Sequence, residues 1–328
     1  KPYPGIYLDE PVVVLDYASL YPSSIISENL SHETICLDEN WLGNKGAERI
    51  RDLGYDYSDI SYDIFKYTYT STGNIKGKVK TGVKTVRYVQ YPEGQKGIVP
   101  NILDDLLTAR RVTREKAKFK TLTLKDGSFM EGIVKDKDDV YQLMQKTWSE
   151  PKTVNKANVV DIKDTYSAFE KAIIDGLQLV YKITANSLYG QLGAKTSTIY
   201  LKELAASTTA VGRQQLEIAQ KYVEDPRNFP VKQDDGTTVY RKNKVVYGDT
   251  DSVFISYDTL GKKGKEGLQE SIDLGIKSEH GIQKLLKDPQ VLEYEKTFWP
   301  FILFSKKRYI GDKYEFDIKK CKRTNMGV

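Results

Sequence analysis

The chain has 328 residues, 39% of them hydrophobic and 29% charged, with a formal net charge of +5. That length can bury a substantial core and divide into two or three sub-domains, and the mild basic excess is compatible with a polyanionic partner without requiring one. Two cysteines (Cys36, Cys321) and two histidines (His32, His280) are too few and too scattered for a disulfide framework or a His-based zinc site, and no apolar run approaches the roughly 20 residues of a membrane span.

In chain order, Pro11 to Tyr17 (PVVVLDY) is predicted as a buried strand, four aliphatic residues ending at an aspartate. Residues 34–96, rich in tyrosine and glycine, are expected to form an irregular β-containing insertion. Ile98 to Lys120 carries Ile102, Leu103, Leu106, Leu107 and Ala109 on one side and Arg110 and Arg114 one turn apart on another, which predicts a helix. Residues 119–164 are rich in lysine and aspartate with weak periodicity, and read as an elaboration whose part in the core is doubtful. A second helix is predicted from Thr165 to Tyr189, ended by Gly190 and Gly193. Lys244 to Tyr247 and Ser252 to Tyr257 read as paired strands joined by Gly248-Asp249-Thr250-Asp251, whose residues suit a tight hairpin. Residues 259–267 are expected to be a flexible basic loop. The start at Lys1 without Met and the end at Val328 suggest a piece of a longer intracellular polypeptide.

Two carboxylate motifs stand out. Asp16 ends a buried strand just before a sharp turn, and Asp249 and Asp251 sit on a hairpin tip. Taken singly, each is ordinary cap or turn chemistry. If the two strands are neighbours, Asp16 and Asp251 converge, and converging carboxylates call for a hard divalent cation such as Mg2+.

DYASLYPSSII (Asp16 to Ile26), KITANSLYGQLGA (Lys182 to Ala194) and YGDTDS (Tyr247 to Ser252) closely resemble motifs A, B and C of the family B (alpha-like) DNA-dependent DNA polymerases, in the family's order. GIVPNILDDLLTARR (Gly97 to Arg111) resembles the first helix of the fingers, and LEYEKTFWPFILFSKKRYIG (Leu292 to Gly311) the passage from palm to thumb. The resemblance runs from Val12 to Gly311, and SLYPSSIISENLS (Ser19 to Ser31) is most similar to polymerases of large DNA viruses. It implies an α/β fold, an antiparallel palm sheet backed by helices with an inserted helical fingers hairpin. The palm would take residues 1–97 and 194–300, the fingers 98–193 with an extended fingertip at about 119–164, and a truncated thumb would begin at 301–328.

The resemblance also implies the roles of particular residues. Asp16 and Asp251 would be catalytic acids sharing two Mg2+ ions (Mn2+ able to substitute), with the Tyr17 carbonyl completing one coordination sphere and Asp249 in an outer role. Backbone amides at Ser19 and Leu20 would meet the triphosphate of the incoming dNTP, as helix N-termini meet anions. Tyr21 would be the steric gate against a 2′-hydroxyl. Lys182, Asn186 and Tyr189, on one helical face, would bind the nucleotide, opposite Arg110 and Arg114. Glu293 and Glu295 are candidate accessory acids, and Lys307 and Tyr309 would hold the backbone of primer–template DNA. A processivity factor is a further expected partner, with no membrane involved, in the nucleus or a viral replication compartment.

Arg110 and Lys182 stand farther apart in the chain than in compact members of the family, which places the excess at the fingertip. An inactive polymerase-like scaffold that binds DNA, an RNA-synthesising palm enzyme and a protein-primed polymerase are the competing readings. Intact Asp16, Asp249 and Asp251 argue against the first, and Tyr21 against the second.

Overall fold

The computed structural model describes residues 2–145 and 148–328; Lys146 and Thr147, inside the expected fingertip, lie outside the described residues. The chain divides into two compact units, Lys1–Lys96 with Lys202–Val328, and Gly97–Leu201. The sequence resemblance places the limits of the fingers at 98 and 193.

The first unit opens with strands β1 (Gly5–Tyr7) and β2 (Val12–Tyr17), helix α1 (Leu20–Ser27), strand β3 (Ile35–Cys36), helix α2 (Gly43–Asp52), and the long strands β4 (Asp56–Tyr69) and β5 (Ile75–Gln90). The second unit comprises α3 (Ile98–Lys116), strands β6 (Lys120–Leu124), β7 (Phe129–Lys137), β8 (Val140–Met144), β9 (Lys152–Asn155) and β10 (Val159–Asp164), and α4 (Ala168–Gly193). The chain then returns to the first unit through α5 (Lys202–Glu224), β11 (Pro230–Lys232), β12 (Thr238–Tyr240), β13 (Lys244–Asp249), β14 (Ser252–Ser256), α6 (Gly264–Gln283), β15 (Leu292–Ser305), β16 (Arg308–Tyr314) and β17 (Cys321–Met326).

A seven-stranded antiparallel sheet carries the first unit, in the order β13-β14-β2-β15-β16-β17, with β1 paired to β15. β2 is central, and its aliphatic run is buried on both faces, which is why it shows no alternation. Val13, Leu15 and Tyr17 pack with Ala219 and Val223 of α5 and Leu268 and Ile272 of α6. Val12 and Val14 point the other way, into an aromatic cluster of Tyr247, Phe254, Phe298, Phe301 and Tyr309. Burying each such aliphatic side chain contributes ~1.5–3 kcal/mol, so β2 is among the most strongly anchored segments. The helical layer lies close because α6 is small-faced: a Cβ at Gly275 would fall 2.8 Å from Val13 Cγ1 and 2.9 Å from Tyr294 Cδ2.

β3, β5 and β4 form a separate sheet, reduced beyond its base to a two-stranded ribbon. The base is fastened by Arg87, which is buried. Its Nε and Nη2 donate to the two oxygens of Asp59, each at 2.7 Å, and its Nη1 donates to the carbonyls of Trp41 and Gly43. Its guanidinium lies 3.9 Å from the Tyr57 ring centre. The Tyr88 hydroxyl donates to Ser207 Oγ on α5 at 2.9 Å.

In the second unit α3 and α4 pack together; Arg110 Nε donates to Gln178 Oε1 at 3.4 Å. α4 starts at a capping box in which Ser167 and Glu170 satisfy each other's backbone N–H groups. Between the helices, β10-β6-β7-β8-β9 form an antiparallel sheet over a small core of Leu122, Leu143 and Val154.

Several expectations are corrected. Residues 34–96 hold a long ribbon with a helix, and 119–164 a five-stranded sheet; the ribbon's outer strands, exposed on two faces, need no apolar alternation, and the sheet buries too few side chains to show a strong one. The first predicted helix ends at Lys116, and the second runs Ala168–Gly193. The loop expected at 259–267 gives way to α6 at Gly264. The expected boundary at 300 falls inside β15, and β16 and β17 extend the same sheet by pairing in register.

Candidate active site

The site lies where β2 ends. Because β14 and β15 flank β2, the pairs Ser252↔Asp16 and Glu293↔Asp16 set three side chains in one row across three strands. Directly paired residues point to the same face. Here that is the face of Val12 and Val14, away from α5 and α6. Asp16 is half-buried, and Ser252 Oγ donates to its Oδ1 at 2.8 Å. Burial is the largest influence on its carboxyl, with the nearby negative charges of Asp251 and Glu295 adding to it; against the Ser252 hydrogen bond and Lys296, they raise its pKa from 3.8 to about 6.

The second aspartate is held by backbone. β13 and β14 pair out to Asp249↔Ser252, which leaves Thr250 and Asp251 as the turn. The Tyr17 N–H donates to the Asp251 carbonyl at 2.9 Å, tying the tip to the end of β2. Thr250 has φ +48°, a left-handed conformation unfavourable for a β-branched residue. Such strain costs on the order of 1–3 kcal/mol and persists where surrounding contacts enforce it. Asp249 faces a different partner: Lys307 Nζ stands 2.7 Å from its Oδ1.

After β2 the chain turns through Ser19, also left-handed at φ +55°, into α1, where Ser19 supplies no side-chain cap. The turn is fixed by the Ala18 N–H donating to the Val291 carbonyl and the Ser23 N–H to the Ser19 carbonyl, both at 2.9 Å. Leu20 is buried, so only its backbone is available to a ligand. The Tyr17 hydroxyl donates to the Gln215 carbonyl at 2.7 Å, which anchors this turn to α5. Tyr21 lies half-buried against α5: a Cβ at Gly212 would meet Leu20 Cδ2 at 3.2 Å and Tyr21 Cε1 at 3.4 Å. Burial, reinforced by the charge of Asp251 and opposed by Arg213, holds the Tyr21 hydroxyl above its ordinary pKa.

Asp16, Asp251 and the acids of β15 are thus gathered at one end of the sheet, with Tyr17, Ser19, Leu20 and Tyr21 on the adjoining turn. Arg110, Arg114, Lys182, Asn186 and Tyr189 belong to the second unit, where α3 carries the arginines and α4 the other three; Arg114, Lys182 and Asn186 are exposed. Tyr309, expected at DNA with Lys307, lies in the aromatic cluster. It is 7% exposed, and its ring packs against Phe254, Phe298 and Phe301, because β16 turns it into the aromatic cluster. Lys307, in the turn before β16, remains exposed. Sequence reasoning missed Ser252, Gly212 and the Lys307–Asp249 pair. Ser252 was within reach, since it stands where a strand paired to β2 would face Asp16.

Among the described residues, no group of three or more His, Cys, Asp or Glu side chains is gathered tightly enough to hold a metal unaided. The donors at the end of β2 are all oxygens, two carboxylates and neighbouring carbonyls. That set suits a hard ion which keeps waters and substrate phosphates in its shell. No described helix is long and apolar enough to cross a membrane.

Comparison with known proteins agrees with this architecture. The family model "DNA polymerase family B" matches residues 1–129 and 148–328, and the chain belongs to that family. The unmatched stretch falls on β7 and β8. A DNA polymerase of Pyramimonas orientalis virus is 46% identical over 330 residues, all of this chain and 25% of the viral protein. One of Phaeocystis pouchetii virus is 35% identical over 88% of this chain and 25% of its own length. The DNA polymerase delta catalytic subunit of Glycine max is 31% identical over 94% of this chain and 20% of its own length. The chain therefore spans about a quarter of the length of the viral relatives it matches.

Proposed function

We propose that this chain carries the nucleotidyl-transfer centre of a DNA-directed DNA polymerase of viral type, which adds deoxynucleotides to a primer 3′-hydroxyl and releases pyrophosphate. The observation that carries this reading is that the end of β2, which holds Asp16, is tied to the β13–β14 turn, which holds Asp251, with Ser252 bonded to Asp16. Asp16, Asp251 and the Tyr17 carbonyl would hold two Mg2+ ions, or Mn2+ in their place. Such a pair supplies activation of the attacking hydroxyl and stabilisation of the leaving pyrophosphate.

The remaining work falls to the protein. Ser252 orients the Asp16 carboxylate. Asp249 stays engaged by Lys307, which is placed to meet a DNA phosphate. The turn from Ser19 into α1 offers backbone N–H groups to a triphosphate, and the Tyr21 ring, backed by Gly212, restricts the space beneath a sugar. In the second unit Lys182, Asn186 and Tyr189 of α4 and Arg110 and Arg114 of α3 would contact the incoming nucleotide, with bidentate arginine contacts suited to phosphate oxygens. Glu293 and Glu295 would act as accessory acids, Glu293 directly across from Asp16. The sheet of the first unit is then the palm and the second unit the fingers, working on primer–template DNA and dNTPs in a DNA-replication setting.

The test is Mg2+-dependent primer extension by the full-length protein carrying this sequence. Asp251→Ala should abolish extension with the thermal midpoint little changed. Extension at the parent rate by a folded variant would sink the assignment and favour a DNA-binding scaffold.

A further inference from the structure

The ribbon of β4 and β5 is longer than its anchorage explains. Arg87 and Tyr88 secure its base, but from Asp63 outward nearly every residue is exposed on both faces. A two-stranded ribbon with no core of its own is marginal in water. This one still forms an ordered tip, where Thr70 N–H donates to the Asn74 carbonyl at 2.7 Å and Gly73 takes φ +80°.

Its chemistry is one-sided. From Ile64 through Lys84 there is no carboxylate, while Lys66, Lys76, Lys78, Lys80 and Lys84 fall in that stretch. Lys80 pairs with Asp63 at 2.6 Å and Lys84 with Glu203 at 2.8 Å. Lys66, Lys76 and Lys78 make no ion pair with any described residue. The register places Tyr67 opposite Lys78 and Phe65 opposite Lys80, so these rings and cations share one face, while Lys66, opposite Val79, is on the other. Lys78 Nζ lies 4.5 Å over the Phe65 ring. Tyr69 continues the same alternation, and Tyr67 and Tyr69 are 42% and 61% exposed.

We infer that this ribbon is a binding surface for single-stranded DNA, separate from the catalytic centre. Lysines without carboxylate partners match a phosphate backbone, and exposed tyrosines match unstacked bases, each of which offers a π-face. The spacing agrees: alternate residues of a strand are ~6.8 Å apart, about twice the 3.4 Å rise of stacked bases. One base therefore fits between successive rings. In a duplex the bases are already stacked, and the tyrosines would find no partner. This inference does not depend on catalysis at Asp16, because binding is read without extension.

The experiment measures anisotropy of a labelled oligo-dT with the full-length protein across a salt series, beside a duplex of equal length. Lys76→Ala/Lys78→Ala should reduce the slope of log affinity against log salt by ~1.4, since each single-strand phosphate contact contributes ~0.7. Tyr67→Ala/Tyr69→Ala should weaken oligo-dT binding ~10-fold or more with the slope unchanged, and leave the duplex unaffected. The substituted side chains are exposed, and repeating the lysine set as glutamine controls for any loss of ribbon structure. Parent-like slope and affinity in both sets would overturn the inference in favour of a protein partner. An equal loss on the duplex from the tyrosine pair would overturn it as well.

Discussion

Asp16→Asn removes the charge of the half-buried carboxylate and keeps an oxygen that can accept the Ser252 hydroxyl. In the parent, burial and the charges of Asp251 and Glu295 raise the Asp16 pKa from 3.8 to about 6. At ~1.4 kcal/mol per pH unit, that gap makes the ionised side chain cost the folded state up to ~3 kcal/mol. Asp16 keeps part of its surface in solvent, and screening reduces this to ~1–2 kcal/mol. The variant should therefore be more stable than the parent by ~1–2 kcal/mol at pH 7.5 in EDTA, while losing extension. The sign with pH follows from a folded pKa above the unfolded one: the penalty is complete above about 6 and fades as pH falls toward 3.8. The advantage of the variant should shrink over that interval. Urea denaturation of both proteins at pH 7.5 and pH 4.5 measures it. A variant less stable than the parent at pH 7.5, or an advantage that grows on acidification, would refute the reasoning.

Gly275→Ala should lower stability by ~1–3 kcal/mol in thermal or urea denaturation, because the new methyl forces α6 away from Val13 and Tyr294. Arg87→Ala should cost ~3 kcal/mol or more, since it strips Asp59 and two carbonyls of their donors in the ribbon's base; differential scanning calorimetry reads the loss. Lys307→Ala should leave stability within ~0.5 kcal/mol, its pair with Asp249 being exposed on the lysine side. It should also lower the salt slope of duplex binding by ~1, which a filter-binding salt series checks.

The parts of the fold that were legible share a physical reason. PVVVLDY announced a strand buried on both faces, and the Gly-Asp-Thr-Asp turn announced a hairpin, because burial and turn geometry each restrict residue type. What could not be foreseen from the pattern was their adjacency; resemblance supplied that, and the Ser252↔Asp16 pairing is its physical form. α5 went unnoticed, although Leu204, Thr208, Val211, Gln215, Ala219 and Val223 line its buried side. Three of its buried positions are polar (Ser207, Thr208, Gln215), which blurs an apolar stripe. The motif gave no sign of where Lys307 and Tyr309 sit; the sheet leaves the lysine in the turn and packs the tyrosine ring into the aromatic cluster. The strands of residues 119–164 were hidden because their core is small, Leu122, Leu143 and Val154 being its buried residues, and so few buried positions leave little binary signal.

Asp16 and Asp251 are distant in sequence, yet strand pairing makes them neighbours, and little of the intervening chain bears on that meeting. The cost of closing a longer connection rises only logarithmically with its length. An excursion such as β6 to β10, whose middle falls outside the family match, can therefore be acquired, enlarged or lost between lineages at small thermodynamic expense. A one-residue slip of β14 against β2 is a different matter, because it would turn Ser252 and its neighbours to the opposite face. The detours can change length cheaply, and the alignment of the three strands cannot change by even one residue without turning the site inside out.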